Sequence, residues 1–500
     1  MINIVKQVTK STPNKIGPKV FKKYSVQTPL RSIKNKKCVP TYGQPIPLTH
    51  SHIMKDGEIL PGIQLDEIKN RRKKLMQRIV NNNIIKNTSK EQILIMPSAS
   101  KVYMSDKIPY VFRQNTDFLY FSGCQEPDSI LVLTMLKDNF HSTLFVRKKD
   151  QHSELWDGPR TGVDSAANIF AMDQSLPISD FEQYVASFLK EHKNCSMWYD
   201  NAQILQPEAD KILCRLINMN NVGTILSPKS IFHEIRSIKS KSEIALMKES
   251  CKIASKAIIE TIKNSKPGIH ENHLFAMVDY YCRMDGAEFL AYPPVVAAGK
   301  NATIIHYINN NQVVQREDMV LMDAGCEYHG YSSDITRTWP VSGTFSTQQK
   351  ILYEIVLDVQ KSLIPDLKEM PSLDQLYYRM LSLLGKRLQE IKLLPSDLNE
   401  NTLMAAAYKY CPHHVGHYLG MDVHDTDKIS RNVKVQPGMI VTVEPGIYIG
   451  PNNPYSPEQF HGLGIRIEDD VLITENGPIV LSKDCPKEIS EIEQLASENQ

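Results

Sequence analysis

The sequence predicts a two-domain protein of mixed helix and strand, and three observations carry that reading. The chain has 500 residues, which suits two domains better than one. The first half alternates short apolar runs with helical spacing, the pattern of an α/β layer. In the second half several strands each end in a carboxylate. The domain division is placed near Ser237–Ile238.

In the first half, Ile93–Met96, Ile130–Leu133 and Thr143–Val146 are apolar runs bounded by turn residues, as strands are. Leu65–Val80 and Phe181–His192 have helical spacing. A fresh helix begins at Ser240-Lys241-Ser242-Glu243, a capping box in which side chains satisfy the first backbone donors. Ile244, Met247, Cys251, Ala254 and Ile258 then share one face, and Lys266-Pro267-Gly268 stops the helix. The tail after Ser482 is polar and is expected to be loose, with residues 486–500 outside the fold.

Composition excludes several classes. The formal net charge is +2, so nothing overall points to nucleic acid or to an acidic membrane surface. No stretch approaches the roughly 18 apolar residues that a membrane span needs. The nine cysteines are scattered and odd in number, without CxxC spacing, which argues against both a zinc knuckle and a disulfide framework. The first acidic residue is Asp56, and ten Lys or Arg residues fall within the first 40 positions (Lys6, Lys10, Lys15, Lys19, Lys22, Lys23, Arg31, Lys34, Lys36 and Lys37). A basic, acid-free, hydroxyl-bearing start over residues 1–40 reads as a mitochondrial presequence. A solvated tail on a cytoplasmic protein is the alternative, favoured by Pro13, Pro18 and the excess of Lys over Arg.

The chemistry lies in the second half. Met319–Met322 is an apolar strand that runs into Asp323-Ala324-Gly325, and Gly330–Trp339 reads as its return strand bearing Asp334. A hairpin of this kind can set the two aspartates side by side, where they repel unless a cation lies between them. Lone carboxylates are more often surface groups, so further elements are needed. Val441-Thr442-Val443-Glu444-Pro445-Gly446 is a strand ending in a carboxylate, and Gly464–Glu468 is another. Between hairpin and strands lies His413-His414-Val415-Gly416-His417-Tyr418-Leu419-Gly420, with His424 just beyond. This does not match the H-E-x-x-H zinc pattern.

Asp323, Asp334, His417, Glu444 and Glu468, in that order and with those neighbours, resemble the metallopeptidase family that contains aminopeptidase P, prolidase and methionine aminopeptidase. The resemblance covers about Ser240 to Ser482. It implies an α+β chain with a C-terminal pita-bread domain over 238–485, preceded by an aminopeptidase P N-terminal α/β domain over 41–237. It also implies that the five residues ligate two divalent ions, Asp334 and Glu468 bridging them. Four carboxylates and one imidazole form a hard set that suits manganese, and cobalt or zinc can also be held. Glu444 would also shuttle a proton. His306, His413 and His424 would act on substrate and proton transfer, while Tyr292 and Arg466 would line the substrate site. A pair of ions in such a site activates water and steadies developing charge.

The first half narrows the choice. Gly43–His52, Phe112–Gly123 and Glu154–Arg160 resemble the mitochondrial type of aminopeptidase P. Taken alone, the aromatic-rich Phe112–Gly123 would be read as a buried strand, since aromatics fill cores. The resemblance instead makes the N-terminal domain a wall over the site, one that a homodimer partner also builds. The implied partners are peptide or protein N-termini ending in Xaa-Pro. A prolidase-type dipeptidase and a metal-free pita-bread binding module are the alternatives; all five ligand positions carry competent side chains, which disfavours the latter.

Overall fold

A computed structural model describes residues 40–81, 91–220 and 225–498. The presequence reading falls on residues 1–40, all but the last of which lie outside the described residues. Thr41–Gln500 is a single compact unit. No helix among the described residues is long and apolar enough to cross a membrane.

The first half is built on a six-stranded sheet in the order Ile225–Leu226, Ser196–Trp198, Gln92–Pro97, Ile130–Leu136, Asn139–Val146, Gln174–Pro177. Its two central pairings are antiparallel and its outer ones parallel. The side-chain period of two divides the central strands between two cores. Ile93, Ile95, Val132 and Phe145 face the helices Phe181–Glu191 and Pro207–Asn220. Leu94, Met96, Leu131 and Leu144 face Leu65–Val80 and the short helix Thr116–Ser122. A sheet covered on both faces explains why its strands read as nearly unbroken apolar runs.

In the second half, long helices surround small antiparallel sheets. Ser240 caps Lys241–Lys263 as the capping box predicts: its Oγ accepts from the Glu243 N–H at 3.2 Å, and the Glu243 carboxylate accepts from the Ser240 N–H at 2.8 Å. The helices Glu271–Met284, Thr347–Asp366 and Leu373–Glu390 complete the outer layer around the main core. Inside lie the sheet Val295–Ala298, Met319–Ala324, Ile335–Pro340 and the sheet Ile440–Val443, Asp469–Leu472, Ile479–Val480.

Three expectations change. The aromatic run is a buried helix, not a strand. Asn115 Oδ1 accepts from the Phe118 N–H at 3.0 Å and Gly123 closes the helix at φ 69°. A segment apolar on every side has no period that separates the two forms, so the capping residues decide. The return strand Gly330–Trp339 is broken into Tyr331–Ser332 and Ile335–Pro340, with Asp334 at the break. There the Asp334 N–H donates to the Asp470 carboxylate at 3.0 Å instead of to a neighbouring strand. The tail is not loose either: Ile489–Ser497 is a helix that sinks Ile492 and Ala496 into the main core. Its Ile489, Ile492, Leu495 and Ala496 have one-face spacing, short enough to be lost in the surrounding polar text.

Candidate metal centre

Four strands deliver the acidic residues to one place. Met319–Ala324 pairs with Ile335–Pro340 so that Asp323 lies opposite Thr336 and Ala324 opposite Ile335, which leaves Asp334 one step beyond on the same face of the cleft. Ile440–Val443 pairs with Asp469–Leu472, ending at Val443 opposite Asp469. Glu444 and Glu468 are the next residues outward and so meet. His417 comes from a loop laid along the Ile440–Val443 strand: the Thr442 N–H donates to His417 O at 3.0 Å and the Glu444 N–H to Val415 O at 2.9 Å. Gly416 permits that approach, because a Cβ there would fall 2.0 Å from the Thr442 carbonyl oxygen.

Ligand atoms of Asp334, His417 and Glu468 all lie within 4.8 Å of one another. His417 Nε2 is 3.3 Å from Asp334 Oδ2 and 3.9 Å from Glu444 Oε1. Asp323 joins through the Tyr292 hydroxyl, which is 2.6 Å from Asp323 Oδ1 and also bonds the Asp334 carboxylate. These aspartates are not the surface pair that a hairpin often carries: the Asp334 side chain is 6% exposed and that of Asp323 15%.

Burial and mutual repulsion act on the cluster together. Burial raises Asp334, and neighbouring Asp323 adds to the rise. Glu468 is held well above the ordinary carboxylate range by burial and then by Asp334, Glu444 and Asp323. Burial lifts Glu444 to about 7 although His417 and Arg466 pull it down. Burial would depress His417, but its hydrogen bond to Asp334 prevails and takes it to about 9. A buried acidic cluster of this kind must take up protons or a cation. The donor set is oxygen-rich with one imidazole and fits a hard divalent ion.

The outer residues fall on two sides. Arg466 is buried, with Nη2 donating to Asp323 Oδ2 at 2.6 Å and Nη1 to the Tyr448 hydroxyl at 2.8 Å. His413 Nε2 lies 2.9 Å from the same hydroxyl, and its Nδ1 is 3.8 Å from Glu444 Oε2. Burial, then Arg466, lowers His413 to about 4, so it is neutral at pH 7. His424 packs edge-on to His417 with ring centroids 4.4 Å apart. His306 is on an exposed turn, near enough for its charge to bear on both His413 and His424.

Sequence reasoning passed over Thr336, Tyr448 and Asp470. Thr336 Oγ1 donates to Glu468 Oε2 at 2.6 Å, Tyr448 joins Arg466 to His413, and Asp470 holds the Asp334 backbone. Thr336 lies inside the return strand Gly330–Trp339, while Tyr448 is four residues past Glu444 and Asp470 two past Glu468. Period-two alternation from the ligand residues was the available signal.

Residues 245–475 match the model of "Metallopeptidase family M24", and residues 68–198 match "Aminopeptidase P, N-terminal domain". Xaa-Pro aminopeptidase 3 of Homo sapiens is 42% identical over 95% of this chain and 94% of its own length.

The chain belongs to metallopeptidase family M24.

As an M24 metallopeptidase with an aminopeptidase P N-terminal domain, it is a metal-dependent aminopeptidase. It is also 39% identical to an Arabidopsis thaliana protein, intermediate cleaving peptidase 55, mitochondrial, over 93% of this chain and 90% of that one. The solved aminopeptidase PepP of Pseudomonas aeruginosa superposes with a TM-score of 0.79 at 33% identity, covering 87% of this M24 chain and 98% of its own. That likeness bears out the expected fold, an aminopeptidase P N-terminal domain followed by a pita-bread domain.

Proposed function

We propose that this M24 peptidase binds two divalent ions, manganese by preference, through Asp323, Asp334, His417, Glu444 and Glu468. On this reading it releases the first residue from peptides with Xaa-Pro ends and trims imported proteins in mitochondria. The observation that carries the ligand set is that Asp334, Glu468 and His417 offer ligand atoms within 4.8 Å of one another, with Glu444 3.9 Å from the same imidazole and Asp323 joined to Asp334 through Tyr292. Among the described residues Arg466 is the one arginine or lysine ion-paired to the five. Bound ions would supply a nucleophile at neutral pH and offset charge on the scissile carbonyl.

The chain's own groups do the rest. Glu444, at the strand end beside His417, could take a proton from the nucleophile and return it to the leaving nitrogen. His413, neutral and anchored through the Tyr448 hydroxyl, can accept or donate a hydrogen bond at the substrate carbonyl side. His306 and His424 stand on the exposed rim where the peptide enters. Arg466 keeps Asp323 oriented. Proline after the scissile bond makes a tertiary amide with no N–H, so a pocket that demands no donor there would favour it. The names of the human and Arabidopsis relatives support the substrate and the compartment, as does the basic start of the chain.

The test uses chain lacking residues 1–40 and loaded with manganese. Matched peptides carry Pro or Ala second, and release of the first residue is followed by mass spectrometry. Release from the Pro peptide at least tenfold faster is expected; equal rates would remove the proline preference, and release from neither by metal-loaded protein would remove the peptidase reading.

A second copy of the chain is proposed as partner. Val102, Val111, Leu155 and Trp156 are 66%, 76%, 80% and 77% exposed, and Lys101 ties their two segments together by a 2.9 Å ion pair with Asp157. Exposed large apolar groups this close together suit an interface. Trp156→Asp is expected to shift the protein from dimer to monomer in analytical ultracentrifugation; a monomeric wild type would dispose of the idea.

A further inference from the structure

The motif Arg113-Gln114-Asn115-Thr116-Asp117 belongs to the N-terminal half and touches no residue of the proposed ligand set. Two of its side chains, Arg113 and Thr116, reach instead into the loop that carries His424. Arg113 Nη2 donates to Met421 O at 2.9 Å and to Asp422 Oδ1 at 3.1 Å, while its Nε donates to Glu327 Oε2 at 2.6 Å. Thr116 Oγ1 donates to Asp422 Oδ1 at 2.6 Å. Asp117, 4% exposed, accepts from Arg236 Nη1 at 2.6 Å and from Lys229 Nζ at 2.8 Å.

Arg236 is the hub. Its side chain is 3% exposed, and its Nη2 donates both to Asp422 Oδ2 at 2.9 Å and to the Asp425 carboxylate. Lys239 Nζ holds the other Asp425 oxygen at 3.2 Å. Asp422 and Asp425 bracket His424 in the chain, so both shoulders of the loop are gripped. The Asp425 N–H donates to Tyr418 O at 2.9 Å, which closes the loop back onto the residue after His417. Gly420 leaves room for this, since a Cβ there would fall 2.3 Å from Asp425 Oδ2. His424 itself projects outward, with its ring against His417. An exposed imidazole has little of its own to fix it, so its place is set by the backbone beneath.

We propose that Asp117 and Arg113 are positioning residues for the peptidase reaction. They act from the N-terminal half through Arg236, Asp422 and Asp425 to hold the His424 imidazole in register with His417. Four cationic side chains (Arg113, Lys229, Arg236, Lys239) interlock with four carboxylates (Asp117, Glu327, Asp422, Asp425), and the buried pairs among them, Arg236–Asp117, Arg236–Asp425 and Lys239–Asp425, fix one geometry, since breaking a buried pair leaves a charge uncompensated. A shift of about 1 Å in a group that addresses the substrate costs on the order of 100-fold in rate. The proposal rests on the reading that His424 acts on the peptide.

A double-mutant cycle tests it in the full chain loaded with manganese. Asp117→Asn and Arg113→Gln are each made alone and in a His424→Ala background, and kcat, KM and bound metal are measured on an Xaa-Pro peptide. Each single substitution is expected to lower kcat roughly 10- to 100-fold with metal content unchanged. In the His424→Ala background neither should lower kcat further by more than about twofold, the signature of residues acting through one group. Equal losses in both backgrounds, loss of bound metal, or unchanged kcat in both singles would each overturn the proposal. Wild-type kcat in His424→Ala alone would overturn the reading of His424, and is seen before any N-terminal substitution is made. Should Asp117→Asn not fold, Arg113→Gln carries the test, because the Arg113 side chain is 42% exposed.

Discussion

Asp334→Asn is expected to lower kcat/KM on an Xaa-Pro peptide by on the order of 1,000-fold, the loss of about 4 kcal/mol of charge stabilisation. The substitution keeps the size of the side chain and removes one negative charge from the place where His417, Glu468 and Asp323 all come within reach. Metal bound per chain, measured by plasma emission after dialysis, should fall in parallel. In the metal-free protein the outcome differs. Buried like charges there raise one another's proton affinity, so removing one relieves repulsion while it also takes away the partner of His417, and with the two opposed the melting temperature should change little. An asparagine variant that retained the wild-type metal content and rate would refute the assignment of Asp334 as a ligand.

The second large effect concerns stability. Arg337 is fully buried, and its guanidinium meets five partners. Nη1 donates to Thr336 O at 2.9 Å and Glu468 O at 2.6 Å, Nη2 to Asp469 Oδ1 at 2.8 Å and Cys485 O at 2.7 Å, and Nε to Pro486 O at 2.9 Å. Burial alone would raise Asp469, but Arg337 and Lys487 overcome it and hold the carboxyl at about 2. Arg337→Ala strips a buried carboxylate of its main counter-charge and takes the guanidinium donors from the Glu468, Cys485 and Pro486 carbonyls, while Thr336 O keeps the Glu468 N–H at 3.1 Å. A loss of about 3–5 kcal/mol is expected, read from denaturant unfolding of the metal-free protein so that bound metal does not contribute. A loss under about 1 kcal/mol, the value of a surface pair, would show that water replaces the guanidinium. The same arginine ties the C-terminal tail to the strand end that presents Glu468, so the variant should also bind metal more weakly.

Much of the site was legible without coordinates, for a physical reason. A ligand at a strand end leaves a local mark: an apolar run, a carboxylate, then a turn, as at Met322-Asp323 and Val443-Glu444-Pro445-Gly446. The chain order of Asp323, Asp334, His417, Glu444 and Glu468, and the neighbours around each, can also be read directly from the sequence. The capping box at Ser240 and the helix Leu65–Val80 are likewise settled by contacts within a few residues.

What remained hidden depends on residues far apart in the chain. The aromatic run carries its own local caps, Asn115 and Gly123, but its charged N-terminal end has meaning only beside Arg236 and Asp422, more than 100 residues away. The tail reads as polar text, yet Ile492 finds the core and Cys485 and Pro486 find Arg337. The residue types able to hold metal, and their order, were determined by the sequence alone, because side-chain chemistry and strand ends are local properties. Tertiary structure alone decided that Tyr448 and Thr336 would join Tyr292 and Arg466 around them, that Tyr292 and Arg466 would bond the aspartates directly, and that the N-terminal half would grip the His424 loop. Burial and ion pairing are properties of the packed chain, where distant segments share one small volume from which water is excluded.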